Sequence, residues 1–161
     1  MGLRMKFPRV SLLVASLMLS GAVLAATLPY DEKADAKANV EHALADAKVA
    51  HVPVLLIFGA NWCEDCRALD KSLHTGKNAE LMGKKFKVVK IDVGNFDHNT
   101  DLTAEYGNVT KKGIPAAVLL TPDNKVLYAT KGGELANARR MSDSGIYDFF
   151  EKVTDTKVAK Q

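Results

Sequence analysis

Two cysteines, Cys63 and Cys66, are the whole thiol complement of the 161-residue chain, and only two residues separate them. A disulfide that stabilises a fold closes a long loop of the unfolded chain, and one between these two would close almost nothing. Their use must therefore be chemical. A thiolate can attack a disulfide, and a second thiol one helical turn away can resolve the mixed disulfide that forms. Zinc would require two further ligands. The four histidines do not supply them, since His42 and His74 fall on helix surfaces, His51 at a helix boundary and His98 in a loop. A soft ion such as Cu(I) would call for methionine or histidine beside the pair, and Trp62-Cys63-Glu64-Asp65-Cys66-Arg67 offers neither.

The elements around the pair would position it for that chemistry. Val54-Leu55-Leu56-Ile57-Phe58 is apolar at every position, as a strand covered on both faces is. Gly59-Ala60-Asn61 leads from it to the cysteines, and a helix with Ala68, Leu69 and Leu73 facing inward follows until Thr75-Gly76 interrupts it. The start of a helix offers unpaired N–H groups and a partial positive charge. Cys63 is thus expected to be the exposed attacking thiolate and Cys66 the buried resolver. Upstream, Val40, Ala43, Leu44 and Ala47 form one face of a helix over Glu32–Ala50. Downstream, Phe86–Val93 is a second strand and Asp101–Tyr106 a short helix. Ala116–Leu120 follows Pro115 as a third strand, and Lys125–Thr130 returns after the turn Thr121–Asn124. Gly132–Ser142 reads as a polar loop. Ile146, Phe149, Phe150 and Val153 line a last helix capped by Ser142, before a polar tail from Thr154. Strand, helix, strand in that order implies a right-handed crossover and parallel pairing. The fold class is α/β.

The first 25 residues call for a separate reading. Arg4, Lys6 and Arg9 precede an apolar run from Val10 to Leu19, and Val23 and Ala25 suit the −3 and −1 positions of a signal peptidase site. Residues 1–25 are expected to be a signal peptide, with cleavage after Ala25 or, second, after Ala26. The alternative is an uncleaved membrane anchor, since Val10–Ala26 is near the ~17-residue lower limit for a span. Without the three leader cations, the 22 basic residues fall to the same number as the 19 acidic ones. Nucleic-acid binding has no electrostatic support, and Lys84, Lys85, Lys87 and Lys90 are read as a solvated edge.

The strand Val54–Phe58, the Trp62-Cys63-Glu64-Asp65-Cys66 motif and Gly113-Ile114-Pro115 before a hairpin together resemble the thioredoxin superfamily. The resemblance covers roughly Glu32 to Val153. The run from Phe58 to Arg67 looks more like exported bacterial thioredoxin-like proteins than like cytoplasmic thioredoxin. It implies a thioredoxin-like mixed sheet flanked by helices over residues 26–161, with Cys63 and Cys66 as the redox pair. It also implies that Pro115 is cis and borders the site, that the Ile114 backbone is free to pair with a substrate strand, and that Trp62 shapes the docking surface. A trans proline opening a strand and a core-packing tryptophan are the alternatives.

Two departures from the family pattern bear on the chemistry. Ile57 stands where thioredoxin has a buried aspartate that assists the resolving thiol, so proton transfer at Cys66 would use water, Lys90 or a carboxylate of the dipeptide. Glu64-Asp65 stands where thioredoxin has Gly-Pro. Two carboxylates beside a thiolate oppose its charge, unless both point into solvent. Lys90, where thioredoxin also has a lysine, either acts on the thiols or is a solvated strand end. The resemblance implies a periplasmic thiol–disulfide oxidoreductase acting on protein disulfides, in the reducing direction because no histidine lies between the cysteines and Ile114 precedes the proline. It would have a membrane thiol reductase as electron donor and no bound cofactor. A disulfide donor and a non-catalytic binding module are the rivals, and the intact cysteine pair argues against the second.

Overall fold

The computed structural model describes residues 1–2 and 28–155. Apart from its first two residues, the expected leader lies outside them, as does the tail beyond 155. Four strands form one sheet, β1 (Val54–Gly59), β2 (Lys87–Asp92), β3 (Ala116–Leu120) and β4 (Val126–Ala129), in the order β2-β1-β3-β4. The β1–β2 pair is parallel, and the β1–β3 and β3–β4 pairs are antiparallel. The sheet is mixed, and β1 lies inside it.

Alternation along β1 divides the core in two. Val54, Leu56 and Phe58 face a cluster with Val40 and Ala47 of α1 (Ala36–Ala50) and Leu102 of α4 (Thr100–Glu105). Leu55 and Ile57 face the opposite cluster, with Leu69 and Leu73 of α2 (Glu64–Leu73), Leu81 of α3 (Gly76–Lys85) and Phe150 of α5 (Asp143–Asp155). Successive side chains of a strand point to opposite faces, so a strand covered on both sides must be apolar throughout. Both cysteines belong to the first cluster.

Apart from single-residue shifts at the ends of elements, the sequence reading and the structure differ most at the first helix, after Thr75-Gly76 and in the loop before α5. The first helix begins at Ala36 rather than Glu32, because Asp35 caps it by accepting the Ala38 N–H at 2.9 Å. The segment after Thr75-Gly76, to which the sequence reading assigns no element, is α3. Gly76 takes φ +51° where the chain turns into it, and Asn78 ties the helix down by donating to Ser72 Oγ at 2.9 Å and to the Asp143 carbonyl at 3.0 Å. The loop Gly132–Ser142 contains a 3₁₀ turn at Ala138–Arg140 and buries Leu135 and Ala138.

Candidate active site

The two cysteines come from the junction of β1 and α2. The chain leaves β1 at Gly59, turns through Ala60 and Asn61, and enters α2 with Cys63 as its N-cap, which leaves both cysteines just beyond the C-terminal end of an interior strand. Cys63 and Cys66 are joined as a disulfide with Cα atoms 5.2 Å apart, inside the ordinary range for such a bond. Cys63 Sγ accepts the Cys66 N–H at 3.1 Å and lies 3.7 Å from the Ile114 carbonyl oxygen. An N-cap side chain is where the unpaired N–H groups and positive end of a helix meet a ligand, so negative charge on this sulfur is favoured. Cys63 keeps 6% of its surface exposed and Cys66 none. Cys63 is thus buried rather than exposed as the sequence leads one to expect, and what sets it apart from Cys66 is its place at the helix terminus.

The walls come from distant segments. The Ile114–Pro115 peptide bond is cis and enters β3 beside the sulfurs. Trp62 is 54% exposed, so it is not a core residue, and its indole N–H donates to the Gly94 carbonyl at 2.8 Å. Phe96, half exposed and at φ +66°, packs edge-on against Trp62 with ring centroids 6.1 Å apart. A bulky residue in the left-handed region is costly and is kept only where its surroundings hold it. With Cys63, Ile114, Ala136 and Arg139, these rings border an open groove of about 480 Å³.

Glu64 and Asp65 are held by one cation. Arg139 Nη1 donates to Glu64 Oε2 at 2.6 Å, the Arg139 backbone N–H donates to Asp65 Oδ1 at 2.9 Å, and Arg139 Nε stands 3.9 Å from that same oxygen. The two carboxylates thus face a guanidinium, neither acting unopposed on the thiol nor lying free in solvent. Lys90 of β2 donates to Asp70 Oδ1 on α2, one turn beyond Cys66. Ile57, opposite Lys90 in the β1–β2 register, faces the core cluster that does not contain the cysteines.

Three site residues have no short-range signal in the sequence. Arg139 meets its partners across more than seventy residues, and Phe96 sits in a loop. Tyr30 lies just ahead of α1 with 3% exposure, and Asn61 pins it in place. The Asn61 side chain accepts the Tyr30 N–H at 3.0 Å and donates to the Tyr30 carbonyl at 2.8 Å and to Glu32 Oε1 at 2.9 Å. Arg67 Nη1 in turn donates to the Asn61 carbonyl at 2.7 Å. Trp62 and Asn61 thus anchor the cysteine loop to two separate segments, one after β2 and one before α1.

Comparison with known proteins places this geometry. Residues 35–122 match the family model described as thioredoxin-like. Among solved structures, a disulphide isomerase from Xylella fastidiosa Temecula1 is 63% identical with a TM-score of 0.79, over 81% of this chain and 99% of that one. The oxidised C-terminal domain of DsbD from Neisseria meningitidis is 23% identical, TM-score 0.53, over 74% of this chain and 96% of its own. A thioredoxin from Thermus thermophilus is 20% identical, TM-score 0.51, over 73% and 82%. No curated protein sequence matches. The likenesses to the DsbD domain and to the Thermus thioredoxin concern the fold alone. The chain, with its Cys63–Cys66 pair at the head of α2, belongs to the thioredoxin-like family.

Proposed function

We propose that the protein is exported to the periplasm, where it reduces disulfides in other proteins through Cys63 and Cys66. One observation carries the reading: Cys63, which keeps the little surface the pair exposes, is the N-cap of α2, and Cys66 is fully buried one turn further on. The Cys63 thiolate attacks a substrate disulfide, forming one S–S bond and expelling one substrate thiolate. Cys66 then attacks Cys63 Sγ, the intramolecular disulfide re-forms, and the second substrate thiolate leaves. Two electrons pass from the pair to the substrate. The groove between Trp62, Phe96 and Arg139 takes the polypeptide around the substrate sulfur, and the backbone at Ile114 pairs with it beside Pro115. Lys90 acts on the thiols only through Asp70, and Glu64 and Asp65 only to the extent that Arg139 leaves their charge uncompensated.

A reducing pair in an oxidising compartment collects as the disulfide unless a donor returns electrons. A membrane thiol reductase is therefore part of the proposal. The test of direction is equilibration with glutathione buffers, read by thiol labelling or by the fluorescence of Trp62, the only tryptophan. A potential on the order of −200 mV or below is expected for a reductant. One of ~ −120 mV, as a strong oxidant has, would make the protein a disulfide donor. Isomerisation is the second reading, favoured by the name of the 63%-identical relative. It uses the same attack by Cys63, but the substrate's own thiol resolves the mixed disulfide. Reactivation of scrambled ribonuclease by a Cys66→Ala variant separates isomerisation from reduction.

A further inference from the structure

Cys66 has no exposed surface, and a sulfur that must become a thiolate there cannot rely on water for its hydrogen bonds. The space behind it is filled by the ring of Tyr30. Gly59, the last residue of β1, makes room for that ring. A Cβ placed on Gly59 would fall 2.2 Å from the Tyr30 hydroxyl oxygen, 2.5 Å from its Cζ and 3.0 Å from Cys66 Sγ. The phenol oxygen and the sulfur border the same point, and only a glycine leaves it open. The Asn61 clamp on both backbone groups of Tyr30 fixes the ring against the cysteine loop.

We propose that the Tyr30 hydroxyl is the hydrogen-bond donor that stabilises the Cys66 thiolate and so speeds resolution of the mixed disulfide, an inference that rests on the redox reading of Cys63 and Cys66. In that step the Cys66 thiolate attacks Cys63 Sγ, the bond from Cys63 to the substrate breaks with the electron pair leaving on the substrate sulfur, and the proton that Cys66 gave up ends on that sulfur. Tyr30 keeps its proton throughout. Burial pushes its phenol above the ordinary range, and the Asp70 and Asp92 carboxylates push it further the same way, so it stays a donor at every working pH. Those carboxylates are the charges that reach the phenol. Asp70 comes from α2, where Lys90 and His74 face it. Asp92 comes from β2, opposite Gly59 in register, with His98 at 3.1 Å. Glu32 reaches Asn61 from the segment that carries Tyr30. Negative charge nearby opposes a thiolate, which makes a neutral donor the group that favours it.

The test isolates the resolving thiol. In full-length Cys63→Ser protein, the Cys66 pKa is read from the pH dependence of thiolate absorbance, with and without Tyr30→Phe. Loss of a hydrogen bond to a charged group should raise it by about one to two pH units. An unchanged or lowered value overturns the proposal. Should the double variant fail to fold, native reduced protein carrying ¹³Cζ-tyrosine answers the same question. The Tyr30 resonance should move at the pH where Cys66 ionises, and a resonance that stays put through that titration overturns the proposal. Cys66 titrates whether or not substrates exist, so failure here leaves the redox reading intact. Absence of thiol exchange in the wild-type protein would overturn that reading without touching the Tyr30 titration.

Discussion

Removing the Arg139 side chain should raise the Cys63 pKa and make the pair more reducing. Its guanidinium is the cation bound to the two carboxylates between the cysteines, and in Arg139→Ala the carboxylates remain while their counter-charge is lost. Asp65 stays in place because its partner at 2.9 Å is the Arg139 backbone, which alanine keeps. Arg139 is about half exposed, so the interaction is discounted for solvent. Taking a separation on the order of 7 Å for two groups that line the same groove, and an effective dielectric of ~40–80, Coulomb's law gives ~0.6–1.2 kcal/mol for one unit charge. That corresponds to a rise of about 0.4–0.9 in pKa. Destabilising the thiolate favours the disulfide, so the potential should fall by about 15–25 mV. Rates of iodoacetamide labelling against pH give the first quantity, and glutathione equilibration gives the second. Arg139→Lys should keep most of the effect, since it retains the charge. In ~1 M salt the shift should largely vanish, because the screening length drops to ~3 Å. A pKa that is unchanged or lowered at low salt, or a shift that survives high salt undiminished, would refute the electrostatic account of the Glu64-Asp65-Arg139 cluster.

Other residues carry further expectations. In brief labelling of the reduced protein near neutral pH, Cys63 should be alkylated much faster than Cys66, and mass mapping that finds equal labelling would remove the assignment of attacker and resolver. Asn61→Ala leaves the Tyr30 N–H and carbonyl without their partner, so urea unfolding should show a loss of about 2–4 kcal/mol; a change under ~0.5 kcal/mol would mean the clamp is dispensable. Phe96→Ala should raise KM for a protein disulfide several-fold with little change in kcat or in stability, because the ring is half exposed and lines the groove. An equal fall in kcat, with KM unchanged, would place Phe96 outside substrate docking.

What is legible in the sequence has a local cause. The continuous apolar run of β1 has the length and pattern of a strand covered on both faces, and a cysteine pair one turn apart directly after it points to the head of a helix. Helix α5 shows its face through Ile146, Phe150 and Val153 at helical spacing. Helix α3 does not, because Leu81 and Met82 are its only buried apolar residues among lysines and a glutamate. The side chains around the cysteines are harder still. Arg139, 73 residues after Cys66, lies in a segment whose periodicity announces nothing, and Tyr30 reaches the site through an asparagine clamp 31 residues away. Such contacts follow from how the chain closes on itself. Glu64 and Asp65 are visible, but the sign of their influence depends on a partner that is not.

The central claim is that Cys63 attacks protein disulfides and Cys66 releases the product. Trapping measures it most directly. Full-length Cys66→Ala protein is produced in the cell to which the gene belongs, thiols are quenched with acid and alkylated, and covalent adducts are separated before and after reduction. Proteins attached through Cys63 and released by dithiothreitol are expected, with none held by Cys63→Ala. An empty Cys66→Ala trap, or equal capture by Cys63→Ala, would contradict it.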